Sequence, residues 1–443
     1  MDSLHFMPII IFFYVCIFLL GFYSIKLLGG VKRNLPYSFY IIVSFLYYFV
    51  TPFYFYSIGR RTIWGDEGVC NGVGLNIADY YPVAFIYYSL ALLCVILGYT
   101  FFSVKVKKVM PNDIQYNPQG KIILIFTLCF LIVFSDFYMA GINPIDVLLG
   151  RSESTMFVMV ATTNYMRNFA DSLVACIIIS FYYNVKKHYL LIIILLGFTL
   201  FALLGFRYRI ILSIFGILFA YFYKSSISLS SIFKYLLLVT TFLLFLLFMT
   251  VNRYSFIKGD LSKIIYNPAD YDYSVIFEQS RGMLDDITII KYYEVVQPDA
   301  PHDYGITFLY FIVRAIPRGI VGDEFKDSLY PSPAVDIILK SYNLPSRWGP
   351  TGEAPLHYAY FYIAGGVTGL LLLSLLTGIV LKFLRNRYPP YCDQYILINI
   401  FISIVLFQWI SRGYFPQAVD HLAFILLGYY LFKVLASKNF KLS

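Results

Sequence analysis

The chain reads as an all-α polytopic membrane protein of about 11 transmembrane helices (10–12) with one large extramembrane loop. Three observations lead there. Residues are 59% hydrophobic and only 13% charged, where a soluble domain carries about 25% charge, and mean hydropathy is +0.71. Apolar stretches of ~17–25 residues recur, the length that crosses ~30 Å of hydrocarbon. Finally, the basic residues sort by side and by type once those stretches are threaded through a bilayer. One side holds 14 of the 19 lysines with Arg33, Arg385 and Arg387, and the other holds the remaining 12 of 15 arginines.

The spans fall near 7–28, 37–57, 80–104, 122–140, 164–185, 189–206, 208–223, 235–251, 356–381, 395–411 and 419–436. The first is long and lacks a small-residue cleavage site, so it reads as a permanent helix rather than a leader. Lys32/Arg33, Lys105/Lys107/Lys108/Lys121, Lys186/Lys187, Lys224/Lys234 and Lys382/Arg385/Arg387 then share one side with Lys438 and Lys441. Positive charge marks that side as cytoplasmic. Three regions follow in order: an N-terminal bundle over 1–251 of about eight helices, a loop over 252–355, and a C-terminal bundle over 356–443 of about three. Inside the loop, Gly305–Ile316 (GITFLYFIVRAI) is too short to cross. It predicts a re-entrant or interfacial helix stopped by Pro317. The segment Gly141–Val160, with INPIDVLLGRSES and Arg151, predicts a second interfacial helix.

Arginine in the outer loops points to an anionic ligand, because the guanidinium is a rigid, permanently charged fork that matches phosphate and carboxylate oxygens. Arg207 and Arg209, in GFRYR, sit where two spans meet with almost no loop, near the outer hydrocarbon boundary. Charge at that depth is functional or paired, or it snorkels to lipid phosphate. Arg281, in Ser280-Arg281-Gly282, either meets a ligand or pairs with Asp285 at i,i+4. Arg314 and Arg318 flank Pro317 as a diphosphate clamp or an interface anchor, and Arg347 lies in the same loop. Ser411-Arg412-Gly413 repeats the earlier triplet. In GPTGEAPLHYAY, Pro355 suits the first turn of a helix. Glu353 then lies by the helix N-terminus and His357 one turn further in, at a water-accessible mouth. Either is a general-base candidate, against capping and structural roles. Gly365 and Gly369 predict close helix packing.

Several classes are set aside. There is no basic block or nucleic-acid motif, so nucleic acid is not expected, and membrane lipids are the bland partner of the +9 charge. No HExxH, CxxC, P-loop or GxSxG occurs, and no metal or cofactor is expected. Six cysteines are scattered, with Cys70 alone in an outer loop, so no disulfide framework is expected. The middles of the spans read as nearly free of charge, which disfavours a flippase. None reads as carrying the central histidine of a membrane acyltransferase.

The span pattern, the GFRYR junction, the outer loop with SRG and IPRG, and GPTGEAPLHYAYFYIAGGVTGL at 349–370 together resemble the bacterial O-antigen polymerases (Wzy), or oligosaccharide repeat-unit polymerases. The resemblance implies a helical lipid-linked (GT-C-like) glycosyltransferase allied to the O-antigen ligases. It implies undecaprenyl-diphosphate-linked oligosaccharide as both donor and acceptor, at the periplasmic face of the inner membrane, with a chain-length regulator as a partner. Catalytic roles fall to Glu353 or His357 with Arg207 and Arg281. Substrate binding falls to Arg151, Arg209, Arg314, Arg318, Arg347 and Arg412. An O-antigen ligase and a lipid-linked oligosaccharide flippase are the alternatives.

Overall fold

A computed structural model describes residues 6–63, 75–102, 118–139, 164–203, 208–225, 261–278, 280–316, 334–341 and 354–436, with isolated positions between 240 and 255 and at 322. Every regular element among them is helical. Seven helical stretches are long and apolar enough to cross a membrane: Met7–Leu27, Lys32–Ser57, Ala78–Phe101, Gln119–Asp136, His357–Arg387, Asp393–Arg412 and Phe415–Ala436. Three more expected spans coincide with the helices Asn164–Tyr182, Lys187–Leu203 and Tyr208–Lys224, which are shorter or more polar. The span expected over 235–251 lies largely outside the described residues.

In chain order the helices are α1 (Met7–Leu27), α2 (Leu35–Phe45), α3 (Thr51–Ser57), α4 (Tyr81–Phe101), α5 (Pro118–Met139), α6 (Asn164–Tyr182), α7 (Lys187–Leu203) and α8 (Tyr208–Lys224). They continue with α9 (Ser274–Glu278), α10 (Gly282–Lys291), α11 (Ile306–Ala315), α12 (Ala334–Ser341), α13 (His357–Arg387), α14 (Asp393–Arg412) and α15 (Phe415–Ala436). Pro8, Pro36, Pro52 and Pro82 each occupy a first helical turn, where the missing amide costs nothing. A π turn at Leu46–Val50 joins α2 to α3 into one span. On α1 the side chains of Ile9, Phe12, Leu19 and Leu27 are all more than half exposed. Such an apolar face is what hydrocarbon accepts and water does not.

The chain divides into two compact units. The first gathers Met1–Val109, Phe277–Pro390 and Val405–Val419; the second gathers Met110–Ile276, Tyr391–Ile404 and Asp420–Ser443. In the first, α4 and α13 form the most extensive helix pair, with α1 on α4 and α10 on α13. Gly98 and Gly378 make the close approach. A Cβ on Gly98 would lie 2.3 Å from the Leu375 carbonyl oxygen, and one on Gly378 would lie 2.2 Å from that of Val95. The glycines expected to do this do something else. No heavy atom lies within 4 Å of a Cβ built on Gly365, and one on Gly369 would meet its own helix at Phe361. Instead, Gly365 (φ 178°, ψ 35°) and Gly366 (φ 60°, ψ −145°) break α13 in two, and the positive φ at Gly366 favours a residue without Cβ. The loop fills the break: Asp303 N–H donates to the Ile363 carbonyl at 3.1 Å, and His302 Nδ1 lies 3.2 Å from the same oxygen.

In the second unit α6 is central, packed on α5, α7 and α8. Leu173, Val174, Ala175, Ile177, Ile178 and Ile179 are fully buried, the mark of a helix enclosed all round. Its neighbours admit it with glycines: Gly197 against Ile177, Gly216 against Ile178 and Gly428 against Ser172. The helix expected at Gly305–Ile316 is present as α11. Ile306, Leu309 and Ile312 lie along one exposed side of it, while Phe308 packs on Phe361 and Phe415.

Candidate functional site

The first unit concentrates its polar groups where α10 meets the start of α13. Leu356 is the N-cap of α13 and His357 its first residue, so Pro355 precedes the helix instead of lying in its first turn. The first amides of a helix need acceptors, and the cap comes from a distant element. Asp286 Oδ1 accepts from Leu356 N–H at 2.7 Å, and the Ala359 N–H also reaches this carboxyl. Burial pushes the Asp286 carboxyl well above its ordinary value, partly opposed by those amides. The buried protonated form is therefore favoured.

His357 is expected at a water-accessible mouth, yet it is 0% exposed. Its Nε2 lies 2.7 Å from the Tyr40 hydroxyl and its Nδ1 2.9 Å from that of Tyr48. Tyr48 accepts from Tyr358 N–H at 3.0 Å, and Tyr40 donates to the Tyr358 hydroxyl at 3.2 Å. Each hydroxyl has one proton, so the set closes when Nε2–H donates to Tyr40 and Nδ1 accepts from Tyr48. Trp409 and Phe361 complete the enclosure. With the ring enclosed and both nitrogens engaged, the open mouth expected for His357 is corrected. Tyrosine is likewise more than an interfacial belt here, since Tyr14, Tyr37, Tyr40, Tyr48, Tyr81, Tyr88, Tyr99 and Tyr358 are all buried below 2% exposure. A second knot forms at Glu294, which accepts from Tyr80, Tyr87 and Tyr362 at 3.2, 2.7 and 2.9 Å.

The two Ser-Arg-Gly triplets converge. A Cβ on Gly282 would lie 2.5 Å from the Ala354 carbonyl oxygen, and one on Gly413 2.4 Å from that of Pro355. Ser280 and Ser411 both hydrogen-bond the Tyr47 hydroxyl. The glycines let both turns press onto the segment Ala354–Leu356, and Arg281 and Arg412 are their neighbours in the chain. Arg281 meets Glu278 at 3.4 Å, an i,i+3 contact, and Arg60 meets the same carboxylate at 3.2 Å.

The second unit holds a buried charged cluster. Asp171 on α6 takes Arg209 Nε at 2.8 Å and Nη2 at 3.3 Å on its two oxygens, and His421 Nδ1 on α15 lies 2.7 Å from Oδ2. All three are at most 3% exposed. Tyr208 lies against His421 (ring centroids 5.0 Å apart) and under the Arg209 guanidinium. Arg167, also on α6, pairs with Asp136 on α5 at 3.1 Å and is close enough to Arg209 to feel its charge. These ionisable groups lie toward the ends of the expected spans rather than at their middles. Asp136, Arg167, Asp171 and His421 all lie inside apolar stretches of the sequence, and an ionisable residue there is itself a signal.

Of the other expected site residues, Arg412 is exposed at the end of α14 and Arg314 lies on α11, its side chain outside the described set. Arg151, Arg207, Arg318, Arg347 and Glu353 lie outside the described residues, as does Cys70.

Comparison with known proteins returns one family. The model of the O-antigen polysaccharide polymerase Wzy family matches residues 4–441. No curated protein and no solved structure matches the chain. Matched over nearly its whole length, this chain belongs to the O-antigen polysaccharide polymerase Wzy family, bacterial membrane proteins that polymerise O-antigen repeat units.

Proposed function

We propose that the chain joins undecaprenyl-diphosphate-linked repeat units at the periplasmic face of the inner membrane, moving the growing glycan from its lipid onto a new lipid-linked unit. The diphosphate already activates the donor sugar, so the reaction draws on neither nucleotide nor metal. Two lipid diphosphates must be held at once. Arginines available for this are Arg60, Arg281 and Arg412 near the segment that enters α13, and Arg167 and Arg209. Arg207, Arg314, Arg318, Arg347 and Arg151 are further expected contacts by sequence. Arginines offset the charge that grows on the departing diphosphate, the role metal ions fill elsewhere. Glu353 remains a candidate base by sequence, whereas the closed hydrogen bonding of His357 makes it a support for α13.

The observation that carries this reading, beside the family, is the convergence of both Ser-Arg-Gly turns on the segment entering α13. It supports a built anion site because glycine allows the backbone approach and arginine supplies the fork. A ligase shares this chemistry and differs in acceptor. The test is a lipopolysaccharide gel of a strain lacking the gene. Core carrying a single repeat, restored to a ladder by the gene, is the expected result. Core with no repeat would instead indicate a flippase or ligase, and an unchanged ladder would refute glycan assembly.

A further inference from the structure

Histidine 421 has an unusual place for a residue of a membrane helix. Its Nδ1 faces Asp171 Oδ2 at 2.7 Å, while its Nε2 is buried and has no hydrogen-bond partner among the described residues. A buried ring nitrogen without a partner carries a desolvation cost. The carboxylate fixes the tautomer: Nδ1–H donates to Asp171, and Nε2 presents a lone pair. This is the arrangement of a general base oriented by a carboxylate.

The surroundings fit a reaction that creates negative charge. Asp136, Arg167, Asp171 and Arg209 balance one another in two close pairs. A neutral His421 therefore leaves the cluster neutral, and a proton taken up there adds one positive charge. The cluster also lies toward one end of its helices. His421 is about 9 Å along α15 from its first residue, and Asp171 about 10 Å along α6, at 1.5 Å per residue. Arg209 is the second residue of α8. The N-terminus of α8 thus lies at the site, and its dipole favours an anion there.

We propose that His421, oriented by Asp171, is the catalytic base of the glycosyl transfer, an inference that rests on the polymerase reading above. The acceptor sugar hydroxyl gives its proton to Nε2 as its oxygen bonds to C1 of the donor glycan. The C1–O bond to the diphosphate breaks, and the undecaprenyl diphosphate leaves with that electron pair. The charge it gains is offset by Arg209, which Asp171 holds through Nε and Nη2. The proton on His421 then passes to water, restoring the neutral ring. Asp171 is a positioning residue in this scheme, serving the base and the arginine together.

The full-length protein, purified and reconstituted in lipid nanodiscs, would be given its undecaprenyl-diphosphate-linked repeat unit, and product chain length followed by gel and mass spectrometry. If the wild-type protein makes no polymer, the polymerase reading fails. If it polymerises, His421→Gln is expected to lower turnover by ~10²-fold or more, the usual contribution of a general base, with KM little changed and the same elution on size exclusion. Turnover within about threefold of wild type would overturn the role of His421 while leaving the polymerase reading intact. Should His421→Gln elute differently, His421→Ala assayed with added imidazole decides. Restoration of roughly tenfold or more supports the base, since a merely structural loss is not repaired by a free base, and no restoration overturns it.

Discussion

Replacing Gly378 with alanine sets two opposing effects against each other. Within a helix, Gly→Ala ordinarily stabilises by about 0.5–1 kcal/mol, because the unfolded chain loses less freedom on folding. At Gly378 the new methyl would lie 2.2 Å from the Val95 carbonyl oxygen and 2.8 Å from Tyr99 N. Carbon-to-oxygen contacts of this kind settle at about 3.3–3.6 Å, so α4 and α13 must part by roughly 1 Å. A gap of that size forfeits a quarter to a half of the dispersion energy of the contacts it opens. Gly98 faces the same crossing, its Cβ position 2.3 Å from the Leu375 oxygen and 3.2 Å from Gly378 Cα, so the partner helix has no slack. Overpacking costs about 1–3 kcal/mol. The net expectation is a loss of about 1–2 kcal/mol after the propensity gain. Gly120, exposed near the start of α5, has no atom within 4 Å of its Cβ position, so the same substitution there should be neutral or stabilising. Denaturant unfolding of the detergent-solubilised protein reads both. A Gly378→Ala variant as stable as Gly120→Ala would refute backbone contact as the basis of the α4–α13 crossing.

Two further outcomes follow from the first unit. The Asp286 carboxyl is raised above its unfolded value of about 3.9, so its contribution to stability is fully present below that pH and is lost as pH rises through the raised folded value. Asp286→Asn keeps a carbonyl acceptor for Leu356 N–H and removes the titration. Its melting temperature should fall less between pH 4 and 8 than that of wild type, and parallel curves would clear Asp286 of the effect. Arg281→Lys keeps the charge and loses the fork, and a lost charge-assisted hydrogen bond of about 1.5–3 kcal/mol lowers turnover about 10-fold or more. A full-length ladder in a strain carrying only this variant would remove Arg281 from substrate binding.

The helical membrane architecture is legible in the sequence because hydropathy over ~20 residues is a local property, as are the prolines that open α1, α2, α3 and α4. The Ser-Arg-Gly repeat is legible too, though not that both copies press on one segment. What cannot be read is what distance in the chain conceals. Asp171 meets Arg209 38 positions away and His421 250 positions away. His357 meets Tyr40 317 positions away, and no local pattern distinguishes a histidine locked between two hydroxyls from one open to water. The break in α13 was hidden differently. Gly365 and Gly369 fit a close-packing motif, and only backbone dihedrals reveal that Gly365 and Gly366 interrupt the helix. The charged positions 136, 167, 171 and 421 were visible throughout. They lay inside apolar stretches whose average hydropathy concealed them.

The interruption of α13 has a consequence for anyone exchanging parts between polymerases to change the sugar they accept. The Ile363 carbonyl, freed by the break, is met by the amide of Asp303 and approached by the His302 ring, both from the large loop. Loop and span are therefore stitched together by residues about sixty positions apart in sequence. A chimera cut at the loop's ends would bring in a foreign partner for that carbonyl. The natural unit of exchange is the loop together with the first turns of α13 as far as Gly366.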